Sequence, residues 1–128
     1  MLVFTKKEGN VLHYEVSGLL SAGELSAYYA VVDTHYRRYG KLRLLVRVQR
    51  FRGYAGPRAL LVFLQHEAGL LRKVRRYAAV TDQRWFRRFI GFADGIFPSI
   101  EFRAFGAGET EAAARWLVRE AGKNKNSI

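Results

Sequence analysis

The chain has 128 residues, 49% of them hydrophobic and 14% aromatic, with no cysteine and a formal net charge of +11. That composition excludes a disordered chain, and without cysteine neither a disulfide nor a thiolate metal site can form. A chain of this length buries roughly two-thirds of its unfolded surface, enough for one domain with its own core.

The opening "MLVFTKKEGN" holds no apolar signal-peptide core, and no apolar run reaches the ~18 residues of a membrane span, so a cytoplasmic location is expected. The charge is uneven. Between Arg37 and Arg88 fifteen lysines and arginines face two acids, Glu67 and Asp82, a net of +13, whereas the rest carries seven against nine. The basic middle suggests an anionic partner, with a merely solubilising surface as the plain alternative.

In chain order, "LVFTKK" and "NVLHYEVSG" alternate apolar and polar residues around "EGN" and predict an antiparallel hairpin whose outer strand is a sheet edge. Leu12, Tyr14 and Val16 share one face, His13 and Glu15 the other. "SAGELSAYYAVVDTHYRRYG" predicts a helix. Ser21 and Glu24 have capping-box spacing, and Leu25, Tyr28, Tyr29, Val32, Tyr36 and Tyr39 form its apolar face. Arg37, Arg38 and Gly40 suit its end. In "KLRLLVRV" the apolar centre Leu44, Leu45 and Val46 predicts a strand covered on both faces.

A loop, "RVQRFRGYAGPR", is expected next, then a helix from Pro57 that buries Leu60, Leu61, Leu64, Ala68 and Leu71. "RRYAAVTD" reads as a short strand, with Thr81 and Asp82 as caps for a helix over "QRWFRRFIGFADGIF". There Phe86, Phe89, Ile90, Ala93 and Phe97 share one side, and Trp85 and Phe92 form a second apolar stripe. "SIEFRAF" is a strand and "ETEAAARWLVREA" a final helix with Trp116 and Leu117 inward and Glu111, Arg115 and Arg119 outward. Residues 121–128 form a polar tail after a single domain over 1–120. The order β-β-α-β-α-β-α-β-α implies an α/β fold with a mostly parallel five-stranded sheet and an N-terminal antiparallel hairpin.

Catalytic chemistry finds little support. His13, His35 and His66 fall on three elements with no second ligand at useful spacing, so no metal is expected, and no cofactor is expected either. No nucleophile elbow and no phosphate-loop motif is present. Asp82 stands at the carboxyl end of an inner strand, where capping competes with acid–base work. "FGAGET" could offer helix amides to an anion, or be an ordinary turn. Arginine interleaved with aromatics in "QRFRGYAGPR" and "RWFRRF" suits nucleic-acid contact, without matching a known nucleic-acid motif.

The segments "GNVLHYEVSGLLSAGEL", "GKLRLLVRV", "YAAVTDQRWFR" and "FPSIEFRAFGAGETEAAARWL", in this order over about residues 9–120, resemble the SpoIIAA-like branch of the STAS superfamily, its bacterial members of unknown function included. The resemblance implies a single STAS-like α/β domain that is not an enzyme and binds a partner protein or a small anionic or lipidic ligand. Anti-sigma-factor antagonists of that superfamily carry a phosphorylatable serine after the central strand. This chain has no Ser or Thr from Val46 through Leu64, so a phosphoserine switch at that place is excluded. The same architecture is similar at fold level to CRAL-TRIO lipid-transfer domains.

Open α/β sheets bind ligands beyond the carboxyl ends of their strands. Arg47, Arg50, Arg52 and Arg58, with Arg84 from the next crossover, are therefore the expected anion site, their guanidinium forks suited to phosphate or carboxylate. The alternative is a solvated loop with arginine stems over Phe51 and Tyr54. Trp85, Phe92 and Arg88 are the expected partner surface, a second copy of the chain among its occupants. A nucleic-acid-binding module is the alternative function.

Overall fold

The structure is a computed structural model, and it describes residues 1–84, 87–88 and 99–119. The elements are β1 (Leu2–Glu8), β2 (Val11–Leu20), α1 (Ala22–Tyr39), β3 (Leu42–Tyr54), α2 (Gly56–Arg72), β4 (Val74–Val80), β5 (Glu101–Phe105) and α3 (Thr110–Val118). The five strands form one sheet in chain order. β1 and β2 run antiparallel, and every later pairing is parallel. The α/β class and the expected strand order hold.

Local chemistry explains where α1 starts and stops. The Ser21 hydroxyl accepts the Glu24 amide at 3.1 Å, and the Glu24 carboxylate takes the Ser21 amide at 3.1 Å. That carboxylate also takes the Leu2 amide at 2.9 Å, so the cap ties the helix to the edge strand. At the other end the Gly40 amide donates to the Tyr36 carbonyl at 2.8 Å.

Side-chain alternation divides the core into two. Leu12, Tyr14, Val16, Leu44, Val46 and Val48 point to the face covered by α1 and α2. Leu45, Ala78, Val80 and Phe105 point the other way and meet Ala113, Trp116 and Leu117 of α3. Leu44, Leu45 and Val46 are all buried, as expected of a strand covered on both sides. Two arginines fasten α3. Arg76, only 1% exposed, pairs with Glu101 at 2.9 Å and donates to the carbonyls of Trp116 and Arg119. Its guanidinium lies 5.0 Å from the Trp116 ring centre, and Arg43 donates to the Leu117 carbonyl at 2.7 Å. Both cations stand where a helix leaves unpaired carbonyls and the negative end of its dipole.

Three expectations are corrected. "RVQRFRGYAGPR" is not a loop: β3 continues through it to Tyr54, because β2 runs on to Leu20 and supplies a hydrogen-bonding neighbour. Leu60, Leu61 and Leu64 of α2 are 44%, 54% and 61% exposed, and the inward side is instead Ala59, Val62, Phe63, Glu67 and Leu70. That is a shift of about one residue, or ~100° of helix rotation. Tyr39 is exposed at the end of α1, with the Arg38 guanidinium over its ring. The Ala68 side chain, the stripes of residues 85–97 with Trp85 and Phe92, and the 121–128 tail lie outside the described residues.

Candidate functional site: the arginine rim at the carboxyl ends of the strands

The far end of β3 is built from two successive bulges. Ser17 lies opposite Gln49, Gly18 opposite Phe51, and Leu19 opposite Gly53. Arg50 and Arg52 are therefore the two extra residues, each without a partner on β2. A bulge bends its strand, deepens its twist and re-aims a side chain. The backbone values fit this geometry. Arg50 has φ 52°, Gly18 62° and Gly53 104°. Glycine takes that region at no steric cost, whereas a side chain there is strained by about 1–2 kcal/mol. Strain of this kind, held by its surroundings, is a feature of functional sites.

What holds it is Gln83. β4 ends at Val80, so the outer edge of β3 would be unpaired beyond that point. The Gln83 side-chain amide takes the place of a strand there. Its oxygen accepts the Phe51 amide at 3.0 Å and its nitrogen donates to the Phe51 carbonyl at 3.4 Å. Gln83 is itself set by the Thr81 hydroxyl, which accepts the Gln83 amide at 3.0 Å. Arg84 follows directly. The clamp thus brings Arg50, Arg52 and Arg84 to one rim, all exposed. Arg58 is exposed in the first turn of α2, close after the end of β3. The side chains of these four make no hydrogen bond or ion pair with another described residue.

Arg47 stands apart. Its alternation places it on the α3 side of the sheet, where it pairs with Glu15 at 2.8 Å. Its Nε is buried without a hydrogen-bond partner. Arg88 is exposed, in the crossover after β4. In the "FGAGET" turn two amides have carboxylate acceptors of the chain itself. The Gly106 amide donates to Glu109 at 2.6 Å and the Ala107 amide to Asp82 at 3.1 Å. Asp82 thus ties the β5–α3 turn to the end of β4, a role neither capping of its own helix nor acid–base chemistry required. Among the described residues no group of histidines and carboxylates could hold a metal ion, and no helix is long and apolar enough to cross a membrane.

The SpoIIAA-like family model matches residues 11–118. The chain belongs to the SpoIIAA-like family. A solved structure of an uncharacterised DUF3478-family protein with a SpoIIAA-like fold, from Shewanella loihica PV-4, aligns with a TM-score of 0.71 at 14% identity, covering 91% of this chain and 92% of that one. At that identity the likeness shows the fold. No curated protein matches the chain.

A second polar cluster of this SpoIIAA-like domain lies inside, between the sheet and α1 and α2, and sequence reading missed it. The Tyr28 hydroxyl donates to that of Tyr14 at 2.9 Å, and Tyr14 shares a 2.8 Å bond with Tyr77. The Tyr29 hydroxyl donates to Glu67 at 2.7 Å. Burial pushes the phenols of Tyr14, Tyr28 and Tyr77 well above their ordinary value. Burial also pushes the Glu67 carboxyl up, and the Tyr29 bond only partly offsets it. The signal was in the sequence: tyrosines hold apolar-face positions in α1, and Glu67 sits at inward spacing between Phe63 and Leu70.

Proposed function

We propose that this SpoIIAA-like domain is a non-catalytic recognition module that binds an anionic ligand with an apolar portion, gripping the anion at the Arg50–Arg52–Arg84 rim. The observation that carries the reading is the double bulge, which frees two arginines from strand pairing at the end of the sheet where ligands of open α/β folds bind. Arg58 and the exposed leucines Leu60, Leu61 and Leu64 continue the surface along α2, so cationic and apolar chemistry adjoin. Val46 through Leu64 contains no Ser or Thr, so this reading needs no phosphorylation in that segment.

The test is co-sedimentation of the purified chain with phosphatidylcholine vesicles, with and without phosphatidylserine, alongside single-stranded oligonucleotide binding. Binding to the anionic vesicles, weakened in Arg50→Ala/Arg52→Ala, supports the proposal. Oligonucleotide binding that falls steeply with salt, without vesicle binding, replaces it with the nucleic-acid reading.

A further inference from the structure

α2 carries apolar side chains on two faces. Ala59, Phe63 and Leu70 turn to the sheet, whereas Leu60, Leu61 and Leu64 stand exposed on the outside. At ~100° per residue the three leucines share one arc of the helix, so they form a stripe and not scattered single sites. The stripe lies in the amino-terminal half of α2, soon after the end of β3, and so adjoins the arginine rim. Its flanks are cationic. Arg58 in the first turn and Arg72 in the last are exposed, and the one acid of the helix, Glu67, lies on the inward side.

Shape and charge select the occupant. The leucines project from the outer side of a helix, and the cavity between α1 and α2 is lined by other residues, Tyr29, Val32, His66 and Leu70 among them. A single lipid chain laid along a convex helix face stays largely wet, whereas a bilayer covers it. A second copy meeting the same stripe across a two-fold axis, with the two helices antiparallel, would set Arg58 of one chain toward Arg72 of the other, cation against cation. An anionic bilayer answers both chemistries. Its headgroups meet the arginines and its acyl boundary meets the leucines, as for an amphipathic helix lying in the membrane interface.

We propose that α2 docks this domain on an anionic bilayer surface, with Leu60, Leu61 and Leu64 entering the acyl boundary and Arg58 and the rim arginines holding the headgroups. The inference rests on the anionic-ligand reading and deepens it, because it makes the bilayer itself the apolar portion of the ligand.

The chain has no cysteine, so one introduced thiol carries one label. Leu61→Cys and, on α3 across the sheet, Arg115→Cys are each labelled with nitrobenzoxadiazole and mixed with phosphatidylcholine–phosphatidylserine vesicles. The label at residue 61 is expected to shift to the blue and to be quenched by nitroxide-bearing acyl chains, and the label at residue 115 to do neither. In co-sedimentation, Leu61→Ser/Leu64→Ser is expected to bind these vesicles about tenfold less tightly or worse. A residue-61 label that stays in water on the bound chain, or a folded Leu61→Ser/Leu64→Ser that sediments like the unmodified chain, would overturn the insertion and leave the rim standing. Binding of monomeric dihexanoylphosphatidylserine without vesicle binding would do the same. Vesicle binding lost in the leucine variant but kept in Arg50→Ala/Arg52→Ala would overturn the rim and keep α2 docking through Arg58. A dimer that dissociates in the leucine variant, from a chain that binds no vesicles, would give the stripe to a second copy and overturn the proposal.

Discussion

Arg76 and Arg50 are the same side chain on neighbouring strands, and the fold uses them in opposite ways. Arg76 is sealed between the sheet and α3, with a carboxylate, two helix carbonyls and an indole around it. Arg50 sits in a strained backbone position with no described partner. A buried charge is costly unless it is paired and hydrogen-bonded, whereas an exposed one needs no partner to be tolerated. The contrast teaches that a basic composition is two populations. Arg43 and Arg76 are parts of the fold, and the rim arginines are exposed with no partner among the described residues.

The sharpest way to break that contrast is Arg76→Ala. It removes the Arg76 donors from the Trp116 and Arg119 carbonyls at the end of α3, where Arg43 remains, and leaves Glu101 without its partner. Glu101 is half-exposed and re-solvates, so the loss comes mainly from the helix end and the Trp116 packing. We expect about 3 kcal/mol of destabilisation in urea unfolding. A loss below ~0.5 kcal/mol, the usual range for a surface site, would place Arg76 with the rim.

The tyrosine cluster comes next. Tyr14 joins two hydroxyl bonds inside the α1–sheet core, so Tyr14→Phe leaves both Tyr28 and Tyr77 short of a partner. The expected cost is about 1–3 kcal/mol, measured by urea unfolding. Tyr77→Phe breaks one bond at a half-buried position and is expected to cost less.

Smaller still is the α1 cap. Ser21→Ala is expected to cost about 1 kcal/mol. Backbone amides at Ser21 and Leu2 hold the Glu24 carboxyl below its usual range. Its contribution is therefore present above the ordinary glutamate pKa and is lost as pH falls through the lowered folded value. Stability measured from pH 6 down to pH 3 should fall less steeply in Glu24→Gln than in the unmodified chain.

Much of the fold was legible because its signals are local or periodic. The Ser21–Glu24 box, the apolar run at Leu44–Val46 and the inward Trp116–Leu117 pair each declare their element within a few residues. The α2 face was read one residue off because leucines on both sides of that helix make the apolar stripe ambiguous, and burial followed Ala59, Phe63 and Leu70 instead. The rim was only half legible. Its arginines were visible as a cluster, but the bulges depend on register with Gly18 of another strand, and the clamp depends on Gln83 some thirty residues on. Arg47 looked like its neighbours in sequence, and strand alternation turned it to the opposite face and to Glu15.

Arg50 gives the finest division between fold and function. Its φ of 52° is one that glycine adopts freely. Arg50→Gly should therefore leave the bulge intact and raise stability by up to about 1 kcal/mol, read as a shift in the urea midpoint. Arg50→Ala keeps the strain and should leave stability within ~0.5 kcal/mol of the unmodified chain. Both remove the guanidinium, so both should weaken binding to anionic vesicles alike. A glycine variant that is more stable yet binds less would mean that this chain keeps a strained residue for the sake of the charge it carries. A glycine variant that binds as well as the original would assign the bulge to sheet geometry alone and move the anion site to Arg52, Arg58 and Arg84.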